Sequence, residues 1–277
     1  MLWVCCFSRG VSSRQRTEYD SRSRVMVKLT AERVSTDRTD NFVYQRSILA
    51  YVEAAKLVGG RVLEIGTGSG YGIRTIAANA EEFVTIDKFR SLAVENLPSN
   101  TSFIESKVPP LPFEDEVFDC VVSFQVIEHI RNDKQFVGEI LRVLKPGGRF
   151  IVTTPNRPMS LTRNPWHVRE YRPEELKSLL AGFSSVECKG VGGNERVWAY
   201  YEKNRESVNR IMRFDILKMQ WWLPRFVLQL PYDVLNRLNR KKLYSDNSQL
   251  TDAISMEDYH LKDVDNECFD LFYIATK

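Results

Sequence analysis

Apolar and polar positions along this chain fall into two rhythms that take turns. Short apolar runs rich in β-branched residues occur at Arg61 to Ile65, Phe83 to Ile86, Thr101 to Glu105, Phe118 to Ser123 and Arg149 to Thr153. Such runs suit strands buried on both faces of a parallel sheet, and the stretches between them read as helices. Alternation of this kind predicts an α/β fold built on a doubly wound, seven-stranded, mostly parallel sheet. A run near Val186 to Val191 and a final one at Phe269 to Thr276 complete the seven. Ahead of the first strand, Phe42, Leu49, Val52, Ala55 and Leu57 recur near helical spacing, with Asp40 or Asn41 as a cap and Gly59-Gly60 as the stop.

Residues 192–266 break the alternation. A connection of that length carries structure of its own or is a functional insertion. Val208, Ile211, Met212, Ile216 and Met219 predict an amphipathic helix, followed by Trp221, Trp222, Phe226 and Tyr232 around Pro224 and Pro231. From Arg196 to Tyr244 there are 11 Lys and Arg against 4 Asp and Glu. Three readings fit this helical, basic and aromatic insertion: a cap whose aromatics form a small core of their own, a cap that shapes a substrate pocket, and an attachment to a membrane surface.

The turn after the first strand carries the chemistry. Gly66, Gly68 and Gly70, with Thr67 and Ser69 between them, follow Val62, Leu63 and Ile65 at once. Ligands of open α/β sheets lie beyond the carboxyl ends of the strands, so this turn is the candidate cofactor site. A dinucleotide fingerprint starting at Gly66 requires Gly or Ala at position 71, and the chain has Tyr71 there. Asp87 ends the second strand about 20 residues on, placed to accept hydrogen bonds from both hydroxyls of a ribose.

From Glu64 to Asp87 the pattern acidic-x-Gly-x-Gly-x-Gly, then an acid closing the second strand, resembles the class I S-adenosylmethionine-dependent methyltransferases. Further ordered matches are Leu111 to Phe113, Phe118 to Ser123, Gln125 to Ile130 and Val143 to Gly148, so the resemblance spans residues 42–154 and the last strand. It implies a Rossmann-like core over 29–191, an insertion over 192–266 and a final antiparallel strand in 267–277, inserted between its neighbours. It also implies S-adenosyl-L-methionine as cofactor, held by Glu64, Gly66, Thr67, Gly68, Ser69, Gly70, Asp87 and Lys88, with Ser123 and Gln125 near the methionine end. Where many relatives place an acid before Leu-Pro-Phe, this chain has Ser106-Lys107-Val108, so Lys107 and Val108 are expected at the adenine.

Methyl transfer needs an acceptor held in line with the sulfonium, and a hydroxyl acceptor profits from a base. Of the three histidines, His129 follows the fourth strand and His167 lies in the loop after the fifth, and both are candidate catalytic residues. Arg163, Trp166, Arg169 and Tyr171 of that loop are candidates for binding the acceptor. The Asn/Asp-Pro-Pro-aromatic signature of nucleic-acid amino methylation is absent, since Ser123-Phe124-Gln125-Val126 stands there, and so is a Pro-Cys nucleophile. The expected acceptor is therefore a small molecule or a lipid-linked compound, with O-methylation preferred. The alternatives are a non-catalytic binding protein that docks on a partner or membrane, and an NAD-dependent oxidoreductase.

Composition narrows this further. With 277 residues and 43% hydrophobic content the chain can bury a full core, and a net charge of +3 is too small to argue for nucleic acid. Five cysteines without C-x-x-C spacing predict neither a disulfide framework nor a metal site, and suit a reducing, cytoplasmic compartment. Peripheral membrane contact is compatible with the basic insertion. Residues 1–28 read as disordered, with Met26 as an alternative translational start.

Overall fold

The computed structural model describes residues 37–90, 92–215 and 219–277. The expectations for residues 1–28 and for Ile216 lie outside the described residues. A helix α1 (Asn41–Ala55) buries Phe42, Leu49, Ala50, Tyr51 and Ala54 and leads into β1 (Arg61–Ile65). Then come α2 (Ile73–Ala77), β2 (Glu82–Asp87), β3 (Thr101–Glu105) and β4 (Phe118–Phe124). The fourth strand is followed by a short 3-10 turn at Ile127–His129, then α3 (Asp133–Val143) and β5 (Leu144–Pro155). Asn132 starts α3 by accepting the Gln135 N–H, satisfying one of the donors a helix leaves unpaired. The chain continues through α4 (Pro173–Leu179) and β6 (Ser185–Gly193).

Past β6 stand α5 (Glu195–Met212), α6 (Met219–Trp222), α7 (Arg225–Asp246) and α8 (Ser248–Ala253), and the chain ends in β7 (Tyr259–Asp263) and β8 (Asp270–Thr276). The order across the sheet is β3-β2-β1-β4-β5-β8-β6-β7. The first five strands are parallel, and β8 runs antiparallel between β5 and β6, as the resemblance implied.

Among the described residues the sheet has eight strands where seven were expected. The eighth, β7, pairs antiparallel with β6 at the sheet edge. Of Tyr259-His260-Leu261-Lys262-Asp263 only Tyr259 is buried, so no apolar run announces it. The helix predicted over Val208 to Met219 instead runs from Glu195 to Met212, because Asn194 caps it by accepting from Arg196 and Val197. Its buried side is Val197, Tyr200 and Tyr201. Trp221, Trp222 and Phe226, expected among the aromatics of a small core in the insertion, are exposed.

Successive side chains of the strands feed opposite faces, and two apolar clusters result. Val62, Val122, Ile151 and Phe272 join α1 and α2 on one side, while Leu63, Val121, Phe150 and Leu271 join Phe136, Ile140 and Leu176 of α3 and α4 on the other. With both faces covered, the open part of the sheet is the end where β1, β2, β4 and β5 finish, and there the candidate site residues collect.

Candidate active site

Gly66 leaves β1 at φ +96°, a conformation that side chains resist, and a Cβ there would lie 2.4 Å from Val126 Cγ2. Its N–H still donates to the Ile86 carbonyl at 2.8 Å, so the turn stays fastened to β2. Asp87 tightens the same link: Oδ2 accepts the Gly68 N–H at 2.9 Å and Oδ1 the Phe89 N–H at 3.1 Å. Each oxygen keeps a second lone pair, which is what a ribose diol would use. Thr67 is buried and Ser69 exposed.

Glu64 was expected against the cofactor, and the structure places it beneath the turn instead. It is 1% exposed, and its carboxylate accepts from the Tyr51 hydroxyl at 2.7 Å and the Thr85 hydroxyl at 2.6 Å. Because Thr85 gives its only proton to Glu64, the 2.6 Å contact between Thr67 and Thr85 must run from Thr67 to Thr85. Burial pushes the Glu64 carboxyl up to about 7, hydrogen bonds from Thr85 and Tyr51 oppose this, and the charge of Asp87 adds to it. Tyr51 reaches Glu64 across Gly72, where a Cβ would fall 2.0 Å from its ring. Tyr71, at the position that argues against a dinucleotide, packs edge-on against Tyr51 and Tyr44.

At the end of β4 the Ser123 hydroxyl is buried without a hydrogen-bond partner among the described residues. Gln125 follows at φ +57°, held by its N–H to the Thr153 carbonyl at 3.0 Å and by its amide to Thr153 Oγ1 at 3.4 Å. A non-glycine residue in this region marks strain of the kind that functional sites retain. Lys88 and Lys107 are exposed, the first with its ammonium over the Phe89 ring at 5.3 Å, and Val108 packs among the apolar residues of the second cluster.

Beyond β5 a cavity of about 230 Å³ opens between α1, the loop at 156–170, α5 and α7. Its wall is rich in amides and hydroxyls, with Asn156, Asn164, Asn204, Asn236, Asn239, Tyr200 and Tyr201 beside Phe42, Met159, Leu161 and Phe269. Arg46 and Arg240 supply the cations. Arg46 lies 2.8 Å from Asp270, whose carboxyl is raised by burial against the opposing pull of Arg46 and Gln125, and Arg240 pairs with Asp40 at 2.6 Å.

His167 lines this cavity together with Glu170. Its Nδ1 is 2.7 Å from Glu170 Oε1 and its Nε2 is 2.9 Å from the Asn164 amide nitrogen. Asn164 is oriented by the Trp166 N–H on its oxygen, so its nitrogen faces the ring as a donor. His167 therefore carries its proton on Nδ1 and its lone pair on Nε2. His129 meets it edge-on at 5.0 Å and gives Nδ1–H to the Trp166 carbonyl at 3.1 Å. The buried Glu128 completes the group, accepting from Thr154 at 3.0 Å. Donor atoms of Glu128, His129 and His167 lie within 4.8 Å of one another, a convergence the reading of the cysteines alone did not anticipate.

The four residues expected to bind the acceptor brace the loop instead. Arg163 donates to the Gln220 and Trp221 carbonyls at 2.8 and 3.2 Å, and Trp166 Nε1 to Asp233 at 3.0 Å. Arg169 pairs with Asp133 and the Arg131 carbonyl, and the buried Tyr171 hydroxyl donates to Asp133 at 2.9 Å. Their partners lie at the start of α3, just before it, or in the insertion, far off in sequence, so a local reading missed them. Arg225 of α7 adds a 2.6 Å bond to the Val168 carbonyl. Sequence reasoning also missed Tyr51, Thr85, Asn164 and Glu170.

A methyltransferase domain model matches residues 63–152. A probable S-adenosylmethionine-dependent methyltransferase of Mycobacterium tuberculosis is 38% identical over 204 residues, covering 68% of this chain and 74% of that protein. Another from Mycolicibacterium smegmatis is 37% identical over 175 residues, covering 59% and 68%. Among solved structures, an S-adenosylmethionine-dependent methyltransferase of Thermotoga maritima, described as a possible histamine N-methyltransferase, superimposes with a TM-score of 0.53 at 15% identity over 86% of this chain and 91% of its own. The chain belongs to the S-adenosylmethionine-dependent methyltransferases. Its cofactor is S-adenosyl-L-methionine, and the open glycine turn, the lone pairs of Asp87 and the unpartnered Ser123 hydroxyl fit that molecule.

Proposed function

We propose that this methyltransferase O-methylates a small or lipid-linked hydroxyl acceptor seated in the cavity beyond β5, with His167 as general base. The observation that carries the reading is the His167–Glu170 contact of 2.7 Å at the cavity wall. A carboxylate on Nδ1 fixes the tautomer, steadies the ring and stabilises the imidazolium that forms when Nε2 takes a proton. The bound cofactor supplies an electrophilic methyl group on its sulfonium. An acceptor hydroxyl replaces the Asn164 amide at His167 Nε2 and gives up its proton there as its oxygen takes the methyl. Amides and tyrosines of the wall suit an acceptor with several hydroxyls.

Asp87 is assigned to the ribose and Gln125 with Ser123 to the methionine end, while Glu64 holds the turn in shape from below. Excluding water from the cavity falls to the loop that Arg163, Trp166 and Arg225 tie to the insertion. No observation favours the nicotinamide or the non-catalytic alternative. Incubation with methyl-labelled cofactor and fractionated cell extract, followed by identification of the labelled product, tests the assignment. A methyl ether is expected, and a label on nitrogen or carbon would overturn the hydroxyl chemistry.

A further inference from the structure

The long helix α7 is inverted with respect to ordinary amphipathic packing. Its polar residues Tyr232, Asn236, Asn239 and Arg240 face inward and line the cavity, where Asn239 bonds to Asn204 and Ser207 of α5. Apart from the buried Leu243 and the half-buried Leu228, its apolar residues face out. Phe226, Leu230, Val234 and Leu238, spaced four apart, form one ridge with exposures of 75, 73, 50 and 58%. Val227 and Leu235 widen that ridge, and Trp221 and Trp222 of α6 extend it at 61 and 63% exposure. Soluble surfaces do not leave contiguous apolar area of this extent to water without a reason.

Charge decides what covers it. Arg237, Lys241 and Lys242 are exposed at the carboxyl-terminal end of the same helix. Over 225–244 the one acidic residue is Asp233, which is half-buried and accepts from Trp166. The outer face is thus mainly apolar, aromatic and cationic, with Asp37 near Arg237 and Lys241 and the exposed Asp246 at the end of α7 as the acids close to it. Tryptophan beside arginine and lysine is the composition of an interfacial helix, and no described helix is long and apolar enough to cross a membrane.

We propose that the outer face of α6 and α7 seats on a bilayer surface bearing anionic headgroups, the ridge entering the acyl boundary and the three cations meeting the lipid charge. The inner face of α7 lines the cavity, so this seating sets the cavity beside the lipid. An acceptor with a buried tail could then present its hydroxyl there, a consequence that rests on the acceptor reading above.

The test is co-sedimentation of the full chain with vesicles of phosphatidylcholine alone and with a share of phosphatidylglycerol, alongside light scattering without lipid and calorimetry with S-adenosylmethionine. Binding to the anionic vesicles is expected, weakening with salt, together with tryptophan quenching by brominated acyl chains that disappears in Trp221→Phe/Trp222→Phe while binding persists. Changing Arg237, Lys241 and Lys242 to Gln should cost on the order of 100-fold in partitioning. Leu230→Asp/Leu238→Asp should abolish binding with an unchanged circular dichroism spectrum. Absence of binding by the wild-type chain, or equal binding by Leu230→Asp/Leu238→Asp, overturns the proposal. So does a dimer in solution that this double variant splits, since the face would then belong to a second copy. Cofactor affinity reports separately on the methyltransferase site.

Discussion

Tyr51 gives its hydroxyl proton to Glu64 across the bare backbone of Gly72, tying α1 to β1 beneath the cofactor turn. The carboxyl so enclosed sits at about 7, above the ordinary glutamate value of the unfolded chain. The folded state therefore holds its proton more tightly, and the group's contribution is fully present below about pH 4. It is lost as pH rises through 7, by on the order of 3 kcal/mol. Urea denaturation at pH 5 and pH 8 should show this loss in the wild type and a smaller one in Glu64→Gln. Tyr51→Phe should lose about 1 kcal/mol at either pH.

Gly66 meets two separate constraints, its φ of +96° and the Val126 methyl 2.4 Å from where a Cβ would stand. Gly66→Ala should cost about 1 to 3 kcal/mol of stability and weaken cofactor binding. Adding Val126→Ala removes the clash and leaves the backbone strain. Thermal melts of the single and double variants should therefore show partial recovery, and full recovery would mean that φ is not a constraint.

What was legible in the sequence follows from range. Gly66 and Asp87 announced themselves because a strand, a turn and an acid at fixed spacing are local facts, and the parallel strands did so because burial on both faces leaves continuous apolar runs. The edge strand at Tyr259 escaped because an edge needs one buried face at most. Arg163, Arg169 and Tyr171 looked free for a ligand since their partners, Gln220 and Asp133, are set by tertiary packing. The inversion of α7 was hidden for a like reason: spacing shows that one face is apolar, and only packing shows which face points outward.

Asp87 fastens Gly68 and, in the proposed assignment, its other lone pairs serve the ribose, so Asp87→Ala should remove both effects at once. Cofactor affinity should fall by about 1 to 3 kcal/mol, the scale of hydrogen bonds to a charged acceptor. Calorimetry with S-adenosylmethionine and S-adenosylhomocysteine should show the same loss for each, because both carry the ribose. Unchanged affinity would rule out Asp87 as its partner.

The convergence of Glu128, His129 and His167 invites a metal, yet the group is held by hydrogen bonds. His167 has both ring nitrogens committed, Nδ1 to Glu170 and Nε2 to the Asn164 amide, so it keeps no lone pair for an ion. Methyl transfer should therefore withstand EDTA and dialysis, and added divalent cations should leave the rate unchanged. A loss of activity on chelation, restored by one metal, would show instead that these three residues are ligands.

His167 and Glu170 act as a unit in the proposed chemistry, and their removal should not be additive. His167→Asn should lower kcat by roughly 100-fold to 10,000-fold, the range of a general base. Glu170→Gln accepts the Nδ1 proton less well and stabilises the imidazolium less, so it should show a smaller fall and a pH-rate limb shifted to lower pH. Both variants should bind S-adenosylmethionine as the wild type does, since neither residue touches the glycine turn. An intact rate in His167→Asn with a large fall in His129→Asn would transfer the role of base to His129. Rate profiles over pH 5 to 9 on the identified acceptor separate the two.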